Sequence, residues 1–161
     1  MKKKYIIFGL SVFLLIVFDQ ISKMLVTSTL SKDGLILIPN FLKFLYTKNS
    51  GISFGMLSGN QIIIIILTVL IIIYLIYELI NNINNKIVFI SSVLIIGGAL
   101  GNLIDRVIRT YVVDFISFTL FGKEMAIFNL ADIFITFGVI IYFYNLLMEG
   151  KNERNSSRRR E

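Results

Sequence analysis

"IVFISSVLIIGGALGNLIDRVIRTYVVDFI", residues 87–116, is the stretch on which the fold turns. Its first fourteen residues carry no polar side chain except Ser91 and Ser92. It then sets Asn102, Asp105, Arg106, Arg109 and Asp114 where an apolar chain should be completing its passage through a hydrocarbon layer. About 20 helical residues cross a bilayer core of about 30 Å, and the run at 87–104 is of that order. Three more such runs lie at 5–26, 62–80 and 126–148. The chain has 161 residues, 56% of them hydrophobic, against about 45–50% apolar in a soluble domain. Four spans leave room for little else. The expectation is one all-α membrane domain over 1–161, a bundle of four transmembrane helices.

The first run follows Lys2, Lys3 and Lys4 and could be taken for a signal peptide. Its length, and "DQISKMLV" in place of a small-residue cleavage site, favour a retained helix. Basic residues cluster before the first span, at Lys86, and after the fourth span at Lys151, Arg154 and 158–160. With an even number of spans, the positive-inside rule makes both termini cytoplasmic. The segments 27–60 and 107–125 are then external, and 149–161 is a basic cytoplasmic tail attracted to anionic lipid rather than to nucleic acid. The first external segment interrupts short aromatic, β-prone runs with Pro39 and glycines, which predicts a small sheet or curled loop on the outer membrane surface.

The chain has no cysteine and no histidine. Disulfides, thiol nucleophiles, thiolate or imidazole metal sites and His-based triads are thereby removed, and no metal or cofactor is expected. What remains is carboxylate chemistry. At 1.5 Å per helical residue, Asp19, Asp105 and Asp132 lie roughly 22, 28 and 25 Å above Lys4, Lys86 and Glu149 at the inner ends of their helices. All three reach the outer third of the bilayer. Asn102 with Asp105, and Asn129 with Asp132, share helix faces at i,i+3, and Asp19 with Lys23 is an i,i+4 pair in the favourable order. An aspartate at mid-membrane costs about 2.5–3.5 kcal/mol on insertion scales, so such groups face the bundle interior or a wet cleft.

Plainer readings stand beside each of these. Asp19 with Lys23 reads as a structural pair. Asn102 and Asn129 could be interhelical glue, and "GGALG" close helix packing. Arg106 either pairs with Asp105, the favoured reading, or meets a lipid headgroup, and Arg109 reads as an interfacial snorkeller. Lys48 with Ser50 and Ser53 gives only a faint Ser–Lys nucleophile. Asp114 is harder to dismiss, because "YVVDFISF" is a poor place for an idle charge. Two carboxylates brought close cannot both ionise easily. One can take a proton from water while the other polarises a carbonyl, the aspartic-protease pattern. Asp114 and Asp132 are the candidate pair. A transporter would need polar residues in both halves of the membrane, whereas "IIIIILTVLIIIYLIY" and the inner halves of the other spans are nearly devoid of charge.

Five segments in order then resemble the lipoprotein signal peptidases, the bacterial signal peptidase II family. They are "DQISK" at 19–23, "NSGISFG" at 49–55, "GGALGNLIDR" at 97–106, "VVDFI" at 112–116 and "FNLAD" at 128–132. The resemblance implies an aspartic membrane endopeptidase that cleaves diacylated prolipoproteins just before the diacylglyceryl-modified cysteine. Cleavage would occur at the outer face of the cytoplasmic membrane, by a monomer that globomycin blocks. It assigns Asp114 and Asp132 as catalytic. Asn49, Gly51, Asn102, Asp105, Arg106 and Asn129 would line or brace the site, Asp19 and Lys23 would form the first-helix motif, and the segment between helices 1 and 2 would be the family's small external β cradle.

Overall fold

The computed structural model describes residues 2–31, 33–51 and 59–158, with side chains as far as Met148. Ser53 and the basic side chains of the tail lie outside these described residues. Four long helices appear: α1 (Lys2–Thr29), α2 (Gln61–Asn81), α3 (Lys86–Arg109) and α4 (Leu130–Arg158). Each contains a stretch long and apolar enough to cross a membrane. The stretch in α3 is 61% buried, against 11%, 22% and 17% in α1, α2 and α4, so α3 is the axis around which the others pack. Apolar side chains on the outer helices, such as Phe13, Ile66 and Phe143, remain exposed. That is what a hydrocarbon solvent permits.

The limits of α3 follow from its sequence. The Asn85 side chain accepts from the Ile87 and Val88 amides at 2.9 and 3.3 Å, satisfying two of the free N–H groups at the helix start. Arg106 and Arg109 occupy the last turn, where a cation suits the helix dipole. Thr110 closes the helix at φ 65°. The α2 helix is apolar all round, and Ile64, Ile72, Leu75 and Leu79 form its buried stripe.

Above one end of the bundle lies a four-stranded antiparallel sheet of β1 (Leu35–Ile38), β2 (Leu42–Asn49), β3 (Val112–Leu120) and β4 (Lys123–Phe128), in that spatial order. The segment between α1 and α2 supplies the expected sheet as β1 and β2. The third connection, for which the sequence suggested no structure, adds β3 and β4. Pro39 and Asn40 make the β1–β2 turn, with Asn40 at φ 57° and the Phe41 amide donating to the Ile38 carbonyl at 3.1 Å. This is the type II arrangement that Pro-Asn favours. A two-residue turn at Phe121 and Gly122, both at positive φ, joins β3 to β4.

From Val112 to Ser117 every residue of β3 is buried, which explains why its sequence lacks an apolar–polar alternation. Hydrophobicity alone also assigned 126–128 to the fourth span, yet these residues end β4. A short apolar run is ambiguous between strand and helix, and Asn129 resolves it by capping α4.

Glycines let the helices meet. A Cβ on Gly98 would overlap the Ala131 carbonyl oxygen of α4, and one on Gly101 would lie 2.6 Å from Asp19 Oδ2. Gly9 faces open space. Gly98→Ala is therefore expected to lower stability by about 1–3 kcal/mol, the cost of overpacking, while Gly9→Ala leaves it unchanged or slightly raised. Thermal unfolding of the two variants in detergent checks this, and equal melting temperatures would contradict it.

Candidate active site

Two polar layers are stacked where α1, α3, α4 and β3 converge. The inner one centres on Lys23, whose ammonium has no solvent exposure. It meets Asp19 at 2.8 Å, Asp105 at 3.0 Å and the Asn102 side-chain oxygen at 3.0 Å. Asp19 also accepts from the Ala131 amide at 3.1 Å. It thus serves α4 as a second cap, delivered from another helix, with the sign the helix dipole prefers. Asp105 accepts from the Val113 amide at 3.2 Å, which ties the start of β3 to α3.

The arginines differ from expectation. Arg106 does not pair with Asp105; neighbouring positions on a helix point about 100° apart. Arg109, one turn on, takes that partner at 3.3 Å. Arg106 instead donates to the Asn102 carbonyl at 3.4 Å and to the Gly51 carbonyl at 3.0 Å, clasping the chain just after β2 to α3.

The outer layer holds Asp114 and Asp132. Asp114 stands on β3 opposite Thr47 of β2. One of its oxygens accepts from Asn49 at 2.7 Å and the other from Asn129 at 2.6 Å. Asp132 sits in the first turn of α4. It accepts from Asn102 at 2.8 Å and from the Asn129 backbone amide at 3.2 Å, while its own amide donates to the Asn129 side chain at 2.9 Å. Asn129 and Asp132 thus form a capping box. The Asn129 amide group also donates to Asn102 at 3.1 Å, so this one side chain touches both halves of the pair's support. The Asn49 oxygen accepts from the Gly51 amide at 2.9 Å, fixing which end of its amide faces Asp114.

A cleft of about 650 Å³ opens over this layer and is lined by Asn49, Gly51, Asn102, Arg106, Asp114 and Asp132. Its remaining walls are largely apolar, from α2, α3, β4 and α4. Lys48 also reaches it, with its ammonium 4.9 Å from the centre of the Tyr111 ring. Among the described residues no group of three or more acidic side chains is placed to hold a metal ion.

Three polar residues escaped the sequence reading. Gln20 donates to Asp19 at 3.1 Å, Asp105 at 3.2 Å and the Gly101 carbonyl at 3.1 Å. Its signal was its place inside "DQISK". Thr68 lines the cleft from α2, a hydroxyl within a run of isoleucine, leucine and valine. Thr136 lines it one turn beyond Asp132, whose carbonyl it bonds at 2.7 Å.

Four apolar helices around one carboxylate-lined cleft define a multi-pass membrane enzyme. Comparison with known proteins makes this specific. The family model of signal peptidase (SPase) II matches residues 11–148. A lipoprotein signal peptidase of Staphylococcus epidermidis is 43% identical over 153 residues, covering 92% of this chain and 95% of that protein. One of Staphylococcus aureus is 38% identical over 159 residues, covering 96% and 97%. A bacterial membrane enzyme solved by the in meso method at 2.3 Å resolution superposes with a TM-score of 0.83 at 37% identity, over 90% of each chain. The chain belongs to the signal peptidase II family, and it is a peptidase.

Burial, and after it the neighbouring Asp132 carboxylate, push the Asp114 carboxyl from 3.8 up to about 6, against the opposing pull of the Asn49 and Asn129 amides and the Lys23 ammonium. A raised carboxyl pKa means that the folded protein holds this proton more tightly than the unfolded chain does. Stability therefore falls as pH climbs from about 4 through about 6 and stays lower above that window. The rise is worth ~3 kcal/mol at most. Asp114→Asn removes the penalty, so its melting temperature should exceed that of the parent at pH 7.5 and match it near pH 4. A variant less stable at both pH values would contradict this account.

Proposed function

We propose that this protein removes signal peptides from prolipoproteins by hydrolysis at the Asp114–Asp132 pair. The observation that carries the reading is the joint suspension of the two carboxylates from Asn129 at the floor of one cleft. In this mechanism one carboxylate is ionised and takes a proton from water. The other is protonated and hydrogen-bonds to the scissile carbonyl oxygen, drawing charge toward it. The hydroxide equivalent adds to the carbonyl carbon. The first carboxyl then passes its proton to the amide nitrogen as the C–N bond breaks, which returns it to the ionised form and leaves the second protonated, as at the start. No covalent intermediate with the enzyme forms.

Charge balance supports a single shared proton. Below the cleft, Lys23 and Arg109 offset Asp19 and Asp105. In the cleft one guanidinium, Arg106, faces two carboxylates, and among the described lining residues the second positive charge is Lys48 at the rim. One proton on the pair makes the buried part neutral, the condition that a water-poor site favours.

The substrate in this reading carries a diacylglyceryl-modified cysteine. Its acyl chains stay in the outer leaflet and hold the scissile bond at the depth of Asp132, so that attack is effectively intramolecular. Both termini are cytoplasmic, the cleft faces outward in the cytoplasmic membrane, and the chain works as a monomer. The apolar walls of the cleft suit the signal-peptide segment and acyl chains. Asp114→Asn and Asp132→Asn should each lower cleavage of a lipidated precursor by at least about 10²-fold, the lower range of general acid–base contributions. Gel-shift assay of the reconstituted variants measures this, and full activity in either variant rules out the pair. Combined with the melting data, Asp114→Asn should be more stable and inactive, the signature of a group kept for chemistry at a cost in stability.

A further inference from the structure

A second concavity lies at the opposite end of the bundle, beside the basic N-terminus. It has a volume of about 300 Å³ and sits between the start of α1, the α2–α3 turn and the start of α3. Its floor is apolar: Ile7, Ile83, Phe89 and Ile90 line it, and Phe8 packs edge-on against Phe89 with ring centroids 5.9 Å apart. Its rim is basic. Lys4 is held in place by a 2.7 Å hydrogen bond to the Asn84 side chain, and Lys86 stands on α3 beside the same opening. Among the described residues no carboxylate lines the groove. Lys4 is fifteen helical residues from Asp19, roughly 22 Å along α1, so the groove is remote from the cleft and plays no part in the chemistry above.

We infer that this groove binds one anionic phospholipid, with its phosphate between the Lys4 and Lys86 ammonium groups and an acyl chain along Ile7, Phe89 and Ile90. The argument is one of complementarity. The groove opens at the membrane-exposed surface of helices that a bilayer surrounds, so acyl chains are its natural neighbours. The two cations at its head select an anion on that chain, since each lysine near a membrane surface attracts anionic headgroups. A second copy of the protein would set lysines against lysines. A basic peptide would be repelled for the same reason. The Asn84 side chain adds what a freely mobile lysine lacks: it fixes the Lys4 ammonium over the groove, so that binding immobilises less.

The chain has no tryptophan, and Ile90 is 49% exposed at the groove. Ile90→Trp therefore introduces a single fluorescent reporter that the site can accommodate. The protein carrying it is reconstituted in phosphatidylcholine vesicles containing a small fraction of brominated lipid. Brominated phosphatidylglycerol is expected to quench with an apparent affinity roughly tenfold or more above brominated phosphatidylcholine. Adding Lys4→Gln and Lys86→Gln together should abolish that excess, while Lys2→Gln with Lys3→Gln, which removes as much charge outside the groove, should preserve it. Inorganic phosphate in the buffer should leave the quenching unchanged. Equal quenching by the two lipids would overturn the inference, as would equal loss in both double variants, which indicates diffuse attraction. Displacement by inorganic phosphate would overturn it too, because the occupant would then be a free anion and not a lipid.

Discussion

Lys23 places a full positive charge where no water reaches it, and the geometry of the bundle is arranged around satisfying it. Its three partners come from two helices, Asp19 from α1 and Asn102 with Asp105 from α3. Removing one member of such a buried set typically costs about 3–5 kcal/mol, because the charge left behind has no solvent to turn to. In a membrane interior, where apolar packing gains nothing over contact with lipid tails, polar contacts and close backbone approach must decide helix register. The carboxylates around Lys23 go further and fix two more elements. Asp19 caps α4 through Ala131, and Asp105 holds the first residues of β3 through Val113. Gly98 and Gly101 permit the closeness this requires.

One consequence is that the two aspartates of the proposed pair arrive from different elements yet share a common reference. Asp132 is placed by the start of α4, which Asp19 and Asn129 define from two sides. Asp114 is placed by β3, whose entry Asp105 defines and whose pairing with β2 brings Asn49 alongside. The charged layer beneath is closed in charge, with Lys23 and Arg109 against Asp19 and Asp105. It therefore stabilises the architecture without drawing on the carboxylates above it.

Much of this was legible in the sequence, for physical reasons. Four helices could be read because a hydrocarbon core imposes a minimum length of apolar residues. That Asp19, Asp105 and Asp132 come together toward one end of the bundle followed from helical rise, and a buried Asp19–Lys23 contact followed from i,i+4 spacing. The second hairpin was hidden because β3 is covered on both faces and reads as a plain apolar run, and because β4 ends in Ala126–Phe128, which hydropathy joins to α4. The expected Arg106–Asp105 pairing rested on adjacency in sequence, and adjacency in a helix points side chains apart. Gln20 was overlooked because a glutamine between two charged residues carries no distinguishing sign of its own; only the fold shows that it donates to both buried carboxylates.

The division of partners between the two layers bears on the proposed chemistry. Asp19 and Asp105 are held by cations, whereas Asp114 and Asp132 are held by the amides of Asn49, Asn102 and Asn129. A lysine or arginine bonded directly to either member of the pair would fix it in the ionised form, and the proton needed to polarise a carbonyl would have no stable place. Neutral amides orient a carboxyl group in either protonation state, since each carboxyl keeps lone pairs or a proton to spare. Asparagine is thus the residue that can hold both acids in position and still leave the proton free to change owners between the steps of hydrolysis. The same choice explains why Arg106, the cation nearest the cleft, spends two of its donors on backbone carbonyls of Gly51 and Asn102 instead of on either carboxylate. Its charge is felt by the pair through space, without a bond that would lock either acid.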